Sequence, residues 1–192
     1  MRIFILILIN LIAFSSLFPG ETSDIDYAAA ENPSQHNQET SIDRVFTGAG
    51  PGEGIGTLNV PALGIVDTTF YYLPSKENLR KGPCMDGPEG GWQAIGEKGR
   101  SMIAAHNDKE FKNLDRINTG DEIAISMENG DFLFQASEIR IYRHRTDDWN
   151  ETAYESTEEY GLVLVTCYPL NKRNTTGDRL VVKCKMIDAR CK

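Results

Sequence analysis

Three side chains carry the chemistry that this sequence could perform. Cys167 closes the apolar run Gly161-Leu-Val-Leu-Val-Thr166 and is followed at once by Tyr168-Pro169. A continuous apolar run reads as a strand buried on both faces, and proline cannot continue it. The thiol then sits at the rim of a sheet, where rigid placement and solvent access coincide, as a nucleophile requires. His106 ends a second apolar run, Ser101-Met-Ile-Ala-Ala105, and Arg179 opens a third, Arg179-Leu-Val-Val-Lys-Cys-Lys-Met186, twelve residues after Cys167. Brought together at strand ends, they would supply a thiolate, a proton carrier and a donor for a developing oxyanion. Taken singly, each has a plainer reading. A lone histidine is usually solvated or structural, as His36 and His144 are expected to be, and an arginine opening a strand is usually an exposed cap.

The elements that must position these residues read as strands. Thr57–Leu63 and Ile65–Tyr72 are β-branched or alternating runs split near Gly64. Ser101–Ala105, Glu122–Met127, Phe132–Arg143, Leu162–Thr166 and Arg179–Met186 follow, with Asn129-Gly130 as a hairpin signal between the fourth and fifth of the seven. Lys109–Ile117, with Phe111 and Leu114 three apart, predicts a turn or two of helix. Seven or eight strands with so little helix predict an all-β fold, a sandwich or a closed barrel.

The 192 residues hold 20 Lys+Arg against 28 Asp+Glu, a net charge of −8. That length fits one domain and a tail. No stretch is basic enough to drive nucleic-acid binding through counterion release, so no nucleic-acid partner is expected. Met1-Arg2 precedes an apolar run from Ile3 to Phe18. Sixteen helical residues span roughly 24 Å, between a signal-peptide core and a thin-membrane anchor. Residues 1–20 are therefore expected to be a signal peptide or membrane anchor, and the remainder to lie outside the cytoplasm. Residues 21–53, rich in Pro, Gly, Ser, Asn and Glu, read as a flexible linker, and 54–192 as the folded domain.

Cys84, Cys167, Cys184 and Cys191 show no C-x-x-C spacing and accompany no paired histidines, so no metal site is expected. In an exported chain they could form two disulfides in any of three pairings, and Cys84 in Lys81-Gly-Pro-Cys-Met-Asp-Gly-Pro88 is a candidate partner for Cys191. Cys184, between Val182 and Met186 on one strand face, reads as a buried small apolar residue. No loop has EF-hand spacing, so the sequence gives calcium no support, and no cofactor is expected.

Leu164-Val-Thr-Cys-Tyr-Pro169, followed by Gly177-Asp-Arg-Leu-Val-Val182, resembles the signature around the active cysteine and arginine of sortases, the cysteine transpeptidases of bacterial cell surfaces. Ile103-Ala-Ala-His-Asn-Asp108, then Phe111-Lys-Asn-Leu114 and Gly120-Asp-Glu-Ile123, resembles the family's histidine region. Gly56-Thr-Leu-Asn-Val-Pro-Ala-Leu-Gly-Ile65 resembles its opening strand. The match runs from about residue 54 to 188 in the family's order. Tyr-Pro after the cysteine is most like class D, and no Asp-Pro-aromatic lid of the class C kind precedes the domain. Ala105 stands where family members usually have glycine.

The resemblance implies a closed eight-stranded β-barrel with one or two short helices. It implies that Cys167 attacks the threonine carbonyl of an LPxTG- or LPxTA-like C-terminal sorting signal on a secreted protein. Arg179 would hold the oxyanion or the substrate backbone, and His106 would move protons to and from the amines. A peptidoglycan precursor or another amine of the envelope would resolve the thioester. Thr166 is expected to line the substrate groove and Ala105 to border it. The acidic segment His144–Gly161 is expected to form a wall of that groove. Two other readings stay open on sequence: a surface cysteine protease with the same three residues, and a disulfide-bonded binding domain in which Cys167 is bridged.

Overall fold

The computed structural model describes residues 49–144, 160–172 and 176–192. The proposed signal or anchor, most of the proposed linker and the acidic segment 145–159 lie outside the described residues, as does His36. Among the described residues no helix is long and apolar enough to cross a membrane.

Eight strands are present: β1 Gly54–Val60, β2 Ile65–Tyr72, β3 Cys84–Asp86, β4 Gly99–Ala104, β5 Glu122–Met127, β6 Gly130–Tyr142, β7 Tyr160–Cys167 and β8 Arg179–Cys191. They close into a barrel in the order β1-β2-β3-β4-β7-β8-β6-β5, with β5 returning to β1. Two neighbour pairs are parallel, β2 with β3 and β4 with β7. The remaining pairs run antiparallel. The expected all-β barrel is the observed fold.

Alternation fills the interior. Ile123, Ile125 and Met127 of β5, Phe132, Phe134 and Ala136 of β6, and Leu180, Val182 and Cys184 of β8 all belong to the central core. Each fully buried aliphatic or aromatic side chain of this kind contributes about 1.5–3 kcal/mol relative to its exposed state. Strand β7 differs, because both its faces are covered. Leu162 and Leu164 face the central core, while Val163 and Val165 join Trp92, Met102, Tyr142 and Val181 in a second cluster on the outer face. That double burial explains the unbroken apolar run that ends at Cys167.

Two details, a short strand and a hairpin tip, differ from the sequence-based expectation. Strand β3 has only three residues and lies in the Lys81–Pro88 stretch read as a loop. The Lys109–Ile117 segment forms turns and a single 3-10 turn over Leu114–Arg116, in keeping with the turn or two of helix that its spacing predicts. Phe111, Leu114 and Ile117 are all buried, and their spacing of three matches the three residues per turn of a 3-10 helix. Among the described residues the one α-helix is the four-residue Asn78–Lys81. The β5–β6 hairpin forms, but its two tip residues are Glu128 and Asn129, with Gly130 already paired to Met127. A Cβ on Gly130 would lie 2.8 Å from the Arg190 carbonyl oxygen, so the glycine serves close strand approach.

The described end of the proposed linker is tied to the barrel. Gly52 N–H donates to the Tyr72 carbonyl at 2.7 Å, and Tyr72 N–H donates to the Glu53 carbonyl at 2.9 Å. Lys81 Nζ donates to the Gly52 carbonyl at 3.3 Å. Strand β1 starts at Gly54.

Candidate active site

Cys167 is the last residue of β7, the strand that lies between β4 and β8. On the β8 side the register sets Cys167 directly opposite Arg179 and Val165 opposite Val181. On the β4 side, Ala104 pairs with Val165 in parallel register. The chain continues alongside β7, because Ala105 N–H donates to the Val165 carbonyl at 3.2 Å. His106 is two residues beyond Ala104, as Cys167 is two beyond Val165 and Arg179 two before Val181. Paired positions share a face and alternate positions return to it. Ala104, Val165 and Val181 all belong to the outer-face cluster. The register therefore sets His106, Cys167 and Arg179 in one row on the outer face, one step past that apolar floor. All three are partly exposed.

No hydrogen bond joins His106 to Cys167 among the described residues, and the Arg179 guanidinium rests on its own chain. Nη1 donates to the Gly177 carbonyl at 2.8 Å and to the Asp178 carbonyl at 3.1 Å. The guanidinium keeps donors beyond Nη1, and its forked, permanently charged shape suits a carbonyl oxygen that gains negative charge.

Two residues that sequence reasoning did not single out hold this row. Asn107, buried, donates from Nδ2 to the Pro169 carbonyl at 2.7 Å and to the Lys172 carbonyl at 2.8 Å. Its own carbonyl accepts from Asn171 N–H at 2.9 Å. Asp178, also buried, accepts from Tyr168 N–H through its backbone carbonyl at 3.0 Å and from His144 N–H through Oδ1 at 3.0 Å. Arg143 lies 3.6 Å from its other oxygen. The His144 N–H bond, with help from Thr176, Arg143 and His144, holds the Asp178 carboxyl below its ordinary value against the opposing effect of burial. Gly177, at φ +80, lets the chain turn here, and a Cβ on it would lie 2.8 Å from His144 Cγ. An amide beside the histidine and a carboxylate beside the arginine were visible in the sequence. Nothing local marked them as buried.

The two expected groove residues are both buried. Ala105 is buried in the central core, so its methyl group faces the barrel interior. Thr166 is buried, and its hydroxyl donates to the Ala105 carbonyl at 2.7 Å. Thr166 alternates with Cys167, so the pleat that exposes the thiol turns the threonine side chain inward. That hydroxyl bond ties the end of β7 to the chain leaving β4. His144 is an exposed turn residue after β6.

All four cysteines are free. The candidate Cys84–Cys191 pairing is not formed. Cys84 opens β3 and Cys191 ends β8, and these strands stand three apart in the closed barrel. At about 4.8 Å between neighbouring strands, that places the two Cα atoms beyond disulfide reach. Burial raises the Cys84 thiol to about 11, with Glu110 adding to the rise and Lys81 opposing it. Burial also raises Cys184 strongly. Of the two accessible thiols, Cys167 is the one set opposite Arg179, whereas Cys191 is the exposed last residue of β8.

Residues 58–187 match the family model for the Sortase domain. The chain belongs to the sortase family. It is a cysteine transpeptidase of the kind that anchors surface proteins, and its barrel agrees with solved sortases. Sortase D5 from Clostridium perfringens is 22% identical, with a TM-score of 0.63 over 80% of this chain and 91% of that one. Sortase C1 from Streptococcus agalactiae is 26% identical, with a TM-score of 0.60 over 70% of each chain. Clostridium perfringens sortase C, solved with the C-terminal cell wall sorting motif, is 23% identical, with a TM-score of 0.61 over 73% of this chain and 74% of that one. No curated protein gives a significant match. Sortases of classes C and D superpose on this barrel equally well, so overall shape does not separate them.

Proposed function

We propose that this sortase cleaves an LPxT-type sorting signal between threonine and the following residue, and that Cys167, His106 and Arg179 perform the reaction. The observation that supports this reading is that Cys167 ends β7, Arg179 opens β8 opposite it, and His106 follows two residues after the end of the adjacent β4. Cys167 Sγ forms the bond to the threonine carbonyl carbon, and the carbonyl oxygen takes the negative charge within reach of Arg179. His106 gives a proton to the departing amine as the C–N bond breaks, leaving a thioester on Cys167. The incoming amine then loses a proton to His106 as it displaces the thiolate. The partners are secreted proteins with a C-terminal LPxTG- or LPxTA-like signal, as the fold relative solved with a sorting motif supports, and an amine of the cell envelope such as a peptidoglycan precursor.

Tyr168-Pro169 after the nucleophile favours class D. The apolar residues 3–18 favour export, with the N-terminus as membrane anchor or cleaved signal and the catalytic domain outside the cytoplasm. The test is incubation of the purified protein with LPxTG and LPxTA peptides, with and without a glycine- or diaminopimelate-type amine, followed by intact-protein and peptide mass spectrometry. An acyl adduct on Cys167 that passes to the amine, and is absent in Cys167→Ala, supports the reading. Release only to water in the presence of amine replaces it with a hydrolase. No adduct with either peptide, on a Cys167 that iodoacetamide alkylates, removes the LPxT assignment.

A further inference from the structure

The chain leaving the nucleophile is held from both sides. Toward β8, Tyr168 N–H donates to the Asp178 carbonyl at 3.0 Å. Toward β4, the carbonyl of Pro169 and that of Lys172 both accept from the side-chain amide of Asn107, at 2.7 and 2.8 Å. The bond from Asn171 N–H to the Asn107 carbonyl closes the same contact from the backbone at 2.9 Å. Asn107 is the residue next to His106, and Pro169 is two residues past Cys167. Both amide hydrogens are committed to these carbonyls, and the residue is only 8% exposed. A primary amide is suited to the task because it offers two donors from one nitrogen, which a hydroxyl or carboxylate cannot.

We infer that Asn107 is a positioning residue for the reaction: its side-chain amide fixes the segment after Cys167 against the segment that carries His106, and so sets the spacing of nucleophile and proton carrier. The sheet register fixes Cys167 only up to its own residue, because β7 ends there. The cysteine's rim position needs a restraint on its C-terminal side, and β4 has already ended at Ala104. Asn107 supplies that restraint beyond the last strand pairing on the β4 side. Misplacement of a reacting atom by about 1 Å costs on the order of a hundredfold in rate.

This inference rests on Cys167 being the nucleophile, and the experiment keeps the two ideas apart. Asn107→Ala, Asn107→Asp and Asn107→Ser would be compared with the unaltered chain and with Ile123→Val, which trims the barrel core away from the site. Melting temperature, KM for the sorting peptide, single-turnover acylation rate per folded molecule, and iodoacetamide alkylation of Cys167 resolved by peptide mapping would be measured. The expected result is an acylation rate lowered about tenfold or more and Cys167 alkylation slowed several-fold, with KM little changed. Ile123→Val should lower the melting temperature and leave both rates alone. Asn107 variants that lose melting temperature but keep wild-type acylation and alkylation rates per folded molecule would overturn the inference and leave Asn107 a loop staple. Asn107→Ser, the smallest polar change, decides the matter if the other two do not fold. Asn107-dependent alkylation in a protein that acylates with no sorting peptide would sustain the inference and sink the substrate assignment instead.

Discussion

Cys167 and Arg179 are direct partners across the antiparallel pair β7–β8, the last residue of one strand facing the first of the next. The pairing gives the arginine a fixed origin beside the thiol. In the ligand-free site the guanidinium is held by the Gly177 and Asp178 carbonyls, and it must add or exchange hydrogen bonds to serve a substrate oxygen.

Replacing Arg179 tests this. Arg179→Ala should lower the rate of Cys167 acylation by about a hundredfold or more, the cost of losing one oxyanion donor. Arg179→Lys should recover little, because an ammonium cannot hold two backbone carbonyls and a third oxygen with the same fork. Single-turnover mass spectrometry reads both, and a fully active Lys variant would show that only charge is required.

The thiols should separate by burial. Iodoacetamide on the folded protein at pH 8 should label Cys167 and the exposed Cys191. Cys84, raised to about 11, and Cys184, in the central core, should react only after unfolding. Intact mass would show two added groups in the native protein and four in denaturant.

Asp178 makes a pH prediction. Its folded carboxyl lies below the ordinary 3.8, so it stabilises the fold fully above the unfolded value. That contribution is lost as the pH falls through the lower folded value. Asp178→Asn should lower the melting temperature at neutral pH, and the difference from wild type should shrink below about pH 4. A difference that stays constant down to pH 2 would place the effect outside the carboxylate's charge.

Thr166→Val keeps the shape and removes the bond to the Ala105 carbonyl. It should cost about 1 kcal/mol or slightly more, because a buried acceptor loses its donor. The inward-facing position also predicts that KM for a sorting peptide stays near wild type. A large KM change would return Thr166 to the groove.

Leu164, completely buried on the inner face of the Cys167 strand, should be costly to truncate. Leu164→Ala should destabilise by about 2–5 kcal/mol in denaturant titration. Cys167 lies on the opposite face of β7, so molecules that remain folded should still acylate under the proposed mechanism.

What the sequence determined is local. Alternation with period two placed β2, β5 and most of β6 and β8, because one face of each meets the core and the other meets water. The unbroken Leu162–Val165 run announced a strand covered on both sides. The motifs around Cys167, Arg179 and His106 pointed to the family and to the three residues that share a row. The tertiary structure decided the partners. Nothing within β4 or β7 states that they lie side by side in parallel register, since their residues are about sixty positions apart and the pairing depends on how the whole barrel closes. The same non-local closure decided that Ala105 and Thr166 turn inward while Cys167 turns out, and that a three-residue β3 suffices to bridge β2 and β4. It also buried Asn107 and Asp178: a polar side chain in a loop carries no local sign of burial, and its partners are carbonyl groups brought to it from a distant part of the chain.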